Sequence, residues 1–124
     1  MLYLDLPLLS ERGVPLDVAC ELDFEGLDPT QAGAHLLIHV RATRGDAAIV
    51  LELSSLRGEV VASPATGTSY RVALSKSAAD MTALPHGVYR YGLMVSGAGA
   101  PAFVMAEGEW THQAILVDAV NPEL

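Results

Sequence analysis

The chain has one cysteine, Cys20, so no disulfide can form within it and the fold must hold by packing alone. Aromatic residues make up 6% of the sequence and charged residues 18%, the latter below the ~25% usual for soluble domains. Basic residues are scarce: seven Lys and Arg against fifteen Asp and Glu, a formal net charge of −8. That shortage argues against a nucleic-acid partner, which needs a basic stripe, and against an anionic membrane surface. No apolar run approaches the ~20 residues of a membrane-spanning helix. The first ten residues are apolar, but no Lys or Arg precedes them and Asp5 and Pro7 interrupt them, unlike a secretory signal.

What is present is alternation. Half of the 124 residues are hydrophobic (51%), enough for a core within one domain. Leu84-Pro85-His86-Gly87 reads as a tight corner, because Pro85 fixes its own φ and pushes Leu84 out of the α region. Tyr89, Tyr91, Leu93 and Val95 then recur at every second position, one face of a strand. The same period places Leu16, Val18, Cys20, Leu22 and Phe24 on one face, with Asp17, Glu21 and Asp23 on the other. Further strands are read at 35–43 (Leu36, Ile38 and Val40 inward), at 47–54 (Ile49, Leu51 and Leu53 alternating), from Gly58 to Pro64, and through Tyr70, Val72 and Leu74. Ala102–Ala106 and Glu109–Val117 close the set, with a turn or bulge expected at Glu107-Gly108. Ser10-Glu11-Arg12-Gly13 reads as a turn and Arg44-Gly45-Asp46 as a hairpin turn. Residues 77–83 break the β pattern, and Ser77 with Asp80 three on is an N-cap arrangement for a short helix.

The expected fold is therefore all-β: an immunoglobulin-like antiparallel β-sandwich with one short helix at residues 77–83. Residues 1–13 form an apolar N-terminal arm or edge strand, 14–118 the sandwich domain, and 119–124 a short tail. In such sandwiches a helical turn leads into a strand that opens with a buried Tyr whose hydroxyl bonds back to the preceding backbone, and Ser77 through Tyr89 resembles that corner.

Candidate chemistry is thin. His35 and His39 lie four apart, which suits a shared zinc on a helix but sets them about 13 Å apart on a strand. With His86 in a corner and His112 in the last strand, the four histidines are read as independent surface or edge residues. Cys20, on an apolar strand face, is read as a small buried hydrophobe rather than a nucleophile. Asp17, Glu21, Asp23 and Glu25 are read as a solvated acidic face, since hard-cation sites gather their ligands from loops. Gly97-Ala98-Gly99 lacks the Lys and the helix of a phosphate loop. No cofactor, no metal and no catalytic residue is expected.

Several stretches together resemble a family of small bacteriophage virion proteins. One is Asp23-Phe24-Glu25-Gly26-Leu27-Asp28 leading to His39-Val40-Arg41; another is Tyr70 to Ser75 before an Ala-rich turn. The most specific is Leu84-Pro85-His86-Gly87-Val88-Tyr89-Arg90-Tyr91, similar to an LPxGxYxY ending in proteins of phage tails and virions, followed by a return strand near Glu107-Gly108-Glu109. The resemblance implies a structural subunit of a tail, baseplate or neck, located in the virion after assembly in the host cytoplasm. Its partners would be other virion proteins and copies of itself. The rival reading is a carbohydrate- or cell-surface-binding module on a similar sandwich, which the scarcity of aromatics weakens.

For partner contact the N-terminal segment stands out. Leu2, Tyr3, Leu4, Leu6, Leu8 and Leu9 crowd into nine residues with Asp5 the sole charge. Two fates are open: an edge strand of its own sheet, or an arm laid on a neighbouring subunit. Exposed apolar patches of this kind mark interfaces, and partner contact is the expectation.

Overall fold

The computed structural model describes residues 4–5, 7–25, 27–43, 45–97 and 102–114; side chains are described throughout except at residues 4 and 5. Nine strands and two short helical turns occur among them: β1 (Leu4–Asp5), β2 (Leu8–Glu11), β3 (Leu16–Asp23), β4 (His35–Arg41), β5 (Leu51–Ser54), a 3₁₀ turn (Ser55–Arg57), β6 (Val60–Pro64), β7 (Ser69–Lys76), α1 (Ala78–Ala83), β8 (Gly87–Ser96) and β9 (Phe103–Gln113). They form a sandwich of two sheets. The larger runs β1-β9-β8-β4-β5, with β2 also paired to β9; the smaller runs β3-β7-β6.

Alternation explains which residues enter the core. Leu36, Ile38 and Val40 of β4 are buried, as are Leu16, Leu22 and Phe24 along β3 and Val72 and Leu74 of β7. Tyr89, Tyr91, Leu93 and Val95 all point inward from β8. Trp110 is fully buried and meets Tyr91 edge to face, ring centroids 6.1 Å apart, a geometry the ring quadrupoles favour. Phe24 and Tyr70 make the same contact at 5.2 Å on the other layer.

The corner before β8 is built as its sequence implied. Ser77 caps α1 by accepting the Asp80 N–H at 3.2 Å. Met81 and Leu84 plug the end of the core. Tyr89 is 8% exposed, and its hydroxyl donates to the Pro85 carbonyl at 2.6 Å.

Five expectations need correction. The sandwich is not purely antiparallel: β1 and β2 run parallel to β9, Leu4 opposite Ala106 and Leu8 opposite Trp110. Ser10 and Glu11 belong to β2 rather than to a turn, which comes only at Arg12-Gly13. The 47–54 strand begins at Leu51; Asp46 Oδ1 takes the Ala48 N–H, bending the chain away from the ladder, and Ile49 is 43% exposed rather than inward. Glu107-Gly108 is continuous strand, opposite Gly92 and Tyr91. The irregularity lies earlier: Leu93 pairs with Ala106 but Met94 with Val104, leaving Met105 as the bulged residue, so that Met105 and Ala106 are both buried. The last strand ends at Gln113; residues 115–117 and the tail lie outside the described residues, as does Arg44 of the expected hairpin turn.

Candidate functional site

Polar chemistry concentrates in two places. The first is inside the core, where β2, β9 and α1 meet. Ser10 and His112 are direct partners across the parallel strand pair. Ser10 Oγ lies 2.7 Å from His112 Nδ1 and 2.7 Å from Trp110 Nε1. His112 Nε2 lies 2.8 Å from the Met81 carbonyl. Donor and acceptor counting orders the bonds. An indole N–H only donates, so Ser10 accepts from Trp110. A carbonyl only accepts, so His112 donates to it through Nε2–H, and in the neutral imidazole that leaves Nδ1 to accept the Ser10 proton. The chain Trp110→Ser10→His112→Met81 is closed, with Ser10 7% and His112 1% exposed. His112 is thus not the surface or edge residue expected.

A serine hydroxyl aimed at an imidazole that is itself oriented by a second bond is the arrangement of a nucleophile and its base. Here the Ser10 hydroxyl also accepts from Trp110, the imidazole is held by a neutral carbonyl rather than a carboxylate, and both residues are buried. A groove of about 300 Å³ passes beside Ser10, between β2 and β3, lined by Leu9, Val14, Pro15 and Val18 among others.

The second concentration ties the sheets together at one end. Glu52 of β5 accepts from His39 Nε2 at 2.8 Å and from Arg57 at 3.2 Å. Glu59 accepts from Arg57 Nε at 3.0 Å, from Lys76 Nζ at 2.8 Å and from the Ser54 N–H at 3.0 Å. Lys76, on β7 of the small sheet, also donates to the Glu52 carbonyl at 2.7 Å. The Glu52 carboxyl sits below its ordinary value because of the His39 and Arg57 hydrogen bonds. Burial alone would raise the Glu59 carboxyl, but the bonds from Lys76, Ser54 and Arg57 outweigh it and hold it down. These charges are already matched, which suits a clamp more than a site.

The remaining histidines stay apart. His35 Nε2 bonds Ser54 Oγ at 3.0 Å, His39 is held by Glu52, and His86 is exposed. Among the described residues no group of three or more His, Cys, Asp or Glu is placed to hold a metal ion. Cys20 is half-buried against the core, and burial pushes its thiol up, away from reactivity. On the acidic face Asp23 is held low by the Thr68 hydroxyl and the Glu25 N–H, while Asp17 and Glu21 point to solvent. No described helix is long and apolar enough to cross a membrane.

Of the N-terminal partner residues, Leu8 packs against the core from β2 and Leu9 is 57% exposed. Leu4 pairs by its backbone with Ala106, and Leu2, Tyr3 and Leu6 lie outside the described residues. Residues 8–11 therefore run as an edge strand of their own sheet.

The outer face of the large sheet was not anticipated as a surface of interest. Its strand register sets out four rungs: Leu9, Thr111 and Val88; then Arg41, Arg90 and Glu109; then His39, Gly92 and Glu107; then Leu37, Met94 and Val104. Val88 is 58% and Val104 45% exposed, so apolar rungs bracket a polar centre. Gly92, with no side chain, floors a notch of about 190 Å³ walled by Arg41, Arg90, Thr43 and Val104. Among the described residues Phe24, Tyr89, Tyr91 and Trp110 are buried and Tyr70 and Phe103 are half-buried against the core, so none offers an aromatic platform for a sugar. No family model and no curated protein matches the chain.

Proposed function

We propose that this chain is a bacteriophage virion structural protein, a subunit of the tail, baseplate or neck that works by packing against copies of itself and other virion proteins. The observation that carries the packing role is the outer face of the large sheet, where Leu9, Val88 and Val104 stand exposed on one surface of a chain with few charges. Two apolar rungs on either side of a polar centre give a partner a surface to cover. The assignment to a virion rests on the resemblance of the Leu84–Tyr91 corner and its neighbours to the phage family. The buried polar groups support a structural role, since the Ser10 and His112 bonds are committed to holding strands and helix together.

The test is direct. Particles purified from the host that carries this gene are digested and read by mass spectrometry. The chain is expected in multiple copies per particle; its absence from purified particles overturns the proposal.

A further inference from the structure

The sandwich ends differently on its two sides. On one side Glu52, Arg57, Glu59 and Lys76 lace β5 to β6 and β7. On the other side β3 is an edge strand, paired only with β7. Two bonds fix which of its backbone groups are used. The Phe24 N–H donates to the Thr68 carbonyl at 3.0 Å, continuing the β3–β7 register. The Ser75 N–H donates to the Glu59 carbonyl, on the β6 side, at 2.9 Å. An antiparallel ladder alternates, so the even-numbered residues of β3 bond β7, and the N–H and C=O of Asp17, Ala19 and Glu21 face outward. Among the described residues nothing bonds them there. An unpaired row of this kind is a template for another strand.

The same edge borders the groove of about 300 Å³ between β2 and β3, where Val14, Pro15, Leu16 and Val18 form an apolar wall. A strand laid along β3 turns every second side chain towards this groove, beside Val18 and Cys20, both half-buried against the core. Its other side chains stand on the outer face beside Asp17, Ala19 and Glu21, all exposed. Asp17 and Glu21 are four residues apart, about 13 Å along the strand, with only the small Ala19 between them. Arg71 lies across from Glu21 on the β7 side, and among the described residues it makes no ion pair. The edge thus offers backbone bonds, an apolar slot behind them and two carboxylates at a set spacing in front.

We propose that β3 accepts, as an added strand, an extended segment of a different protein that reads basic, apolar, any, apolar, basic. The two basic side chains stand beside Asp17 and Glu21, the apolar pair enters the groove, and the backbone bonds go to Asp17, Ala19 and Glu21. A residue spacing of four on the incoming strand matches the spacing of the carboxylates. A second copy of this chain does not fit. Antiparallel pairing of two β3 edges about Ala19 sets Asp17 against Glu21 of the other copy, and like charges so placed are destabilising. No two of the seven basic residues lie four apart, and none stands on an edge strand of either sheet. The inference rests on the packing role proposed above and names the chemistry of one partner.

Amide NMR spectra of the isotope-labelled full chain test this, with two end-blocked peptides as probes, Thr-Lys-Val-Ser-Val-Lys-Thr and Thr-Glu-Val-Ser-Val-Glu-Thr. The lysine peptide is expected to shift the Asp17, Ala19 and Glu21 amides and to slow their hydrogen exchange. It should bind at least about tenfold more tightly than the glutamate peptide. D17K/E21K should reverse that preference. Ala19→Pro should abolish binding of both peptides and keep the ladder with β7, because the Ala19 N–H faces outward. Circular dichroism checks that each variant is folded; if Ala19→Pro is not, the charge reversal decides. No change at the three amides up to millimolar lysine peptide overturns the proposal, as does equal binding of the two peptides. Slow exchange of the same three amides without peptide shows that the chain fills its own edge, which overturns it as well. None of these failures touches the virion assignment, which stands or falls on the particle digest. Peptide binding by a chain that is absent from virions removes that assignment and leaves the acceptor edge standing.

Discussion

The Tyr89 hydroxyl and the Pro85 carbonyl, four residues apart, are joined at 2.6 Å across the corner that leads from α1 into β8. The ring fills the core while its oxygen finds a backbone acceptor, so one side chain both packs and fixes the entry angle of the central strand. Tyr89→Phe keeps the packing and removes the bond. The expected loss is about 0.5–1.5 kcal/mol, seen as a melting temperature lower by roughly 3–6 °C. Tyr89→Ala removes the ring as well and should cost about 3–5 kcal/mol. Equal melting points for the wild type and Tyr89→Phe would show that the bond contributes nothing.

Ser10 relays between Trp110 and His112, so Ser10→Ala strands a buried donor and a buried acceptor together. The expected cost is about 1–3 kcal/mol. Its distribution is more telling than its size. Hydrogen exchange should quicken at the amides of β2, which loses its anchor, while β3 and β7 in the other sheet keep their protection. Uniform quickening across both sheets would mean that β2 does not open separately from the rest.

The Glu52 and Glu59 carboxyls are both held below their ordinary value of 4.5 in the folded chain. A group with a lowered folded pKa contributes stability above its unfolded pKa, and that contribution is lost as pH falls through the folded value. Stability should therefore decline as the pH drops below about 4.5. Glu59→Gln should flatten part of that decline. At neutral pH it should cost about 1.5–3 kcal/mol, because Lys76, 9% exposed, loses its carboxylate partner. Denaturant midpoints of both proteins between pH 3 and 7 check this; parallel pH curves would refute the assignment to Glu59.

Much of this architecture was legible because alternation is a local property. Leu16 to Phe24 and Tyr89 to Val95 reveal their inward faces through spacing alone, and Ser77 with Asp80 marks the helix start. The parallel pairing of β2 with β9 was hidden, since nothing near Leu8 in the sequence points to Trp110. The burial of His112 was within reach: it stands two residues after Trp110 on the same strand, and the same period puts both inside. Its polarity argued for the surface, and only Ser10 and the Met81 carbonyl, brought in from β2 and α1, make its burial affordable. Ile49 misled in the opposite sense, an apolar residue in alternation that Asp46 turns out of the ladder before the strand begins. The arginine rung was invisible for the same reason as the edge strand, because Arg41 and Arg90 become neighbours only through the register of β4 on β8.

The parallel edge made by β2 and β9 also sets an order of events in folding. Ser10 and His112 are 102 positions apart, so the N-terminal strand finds its place only after the last strand has found its own. A loop that long is entropically costly to close before other contacts hold its ends near. The sequence-adjacent pairs β4–β5, β6–β7 and β8–β9 close the shorter loops and are expected to form first, with β2 the last to dock. Until then Leu8 and Leu9 stay available to other molecules, so crowded newly made chains are most vulnerable to mispairing at this edge.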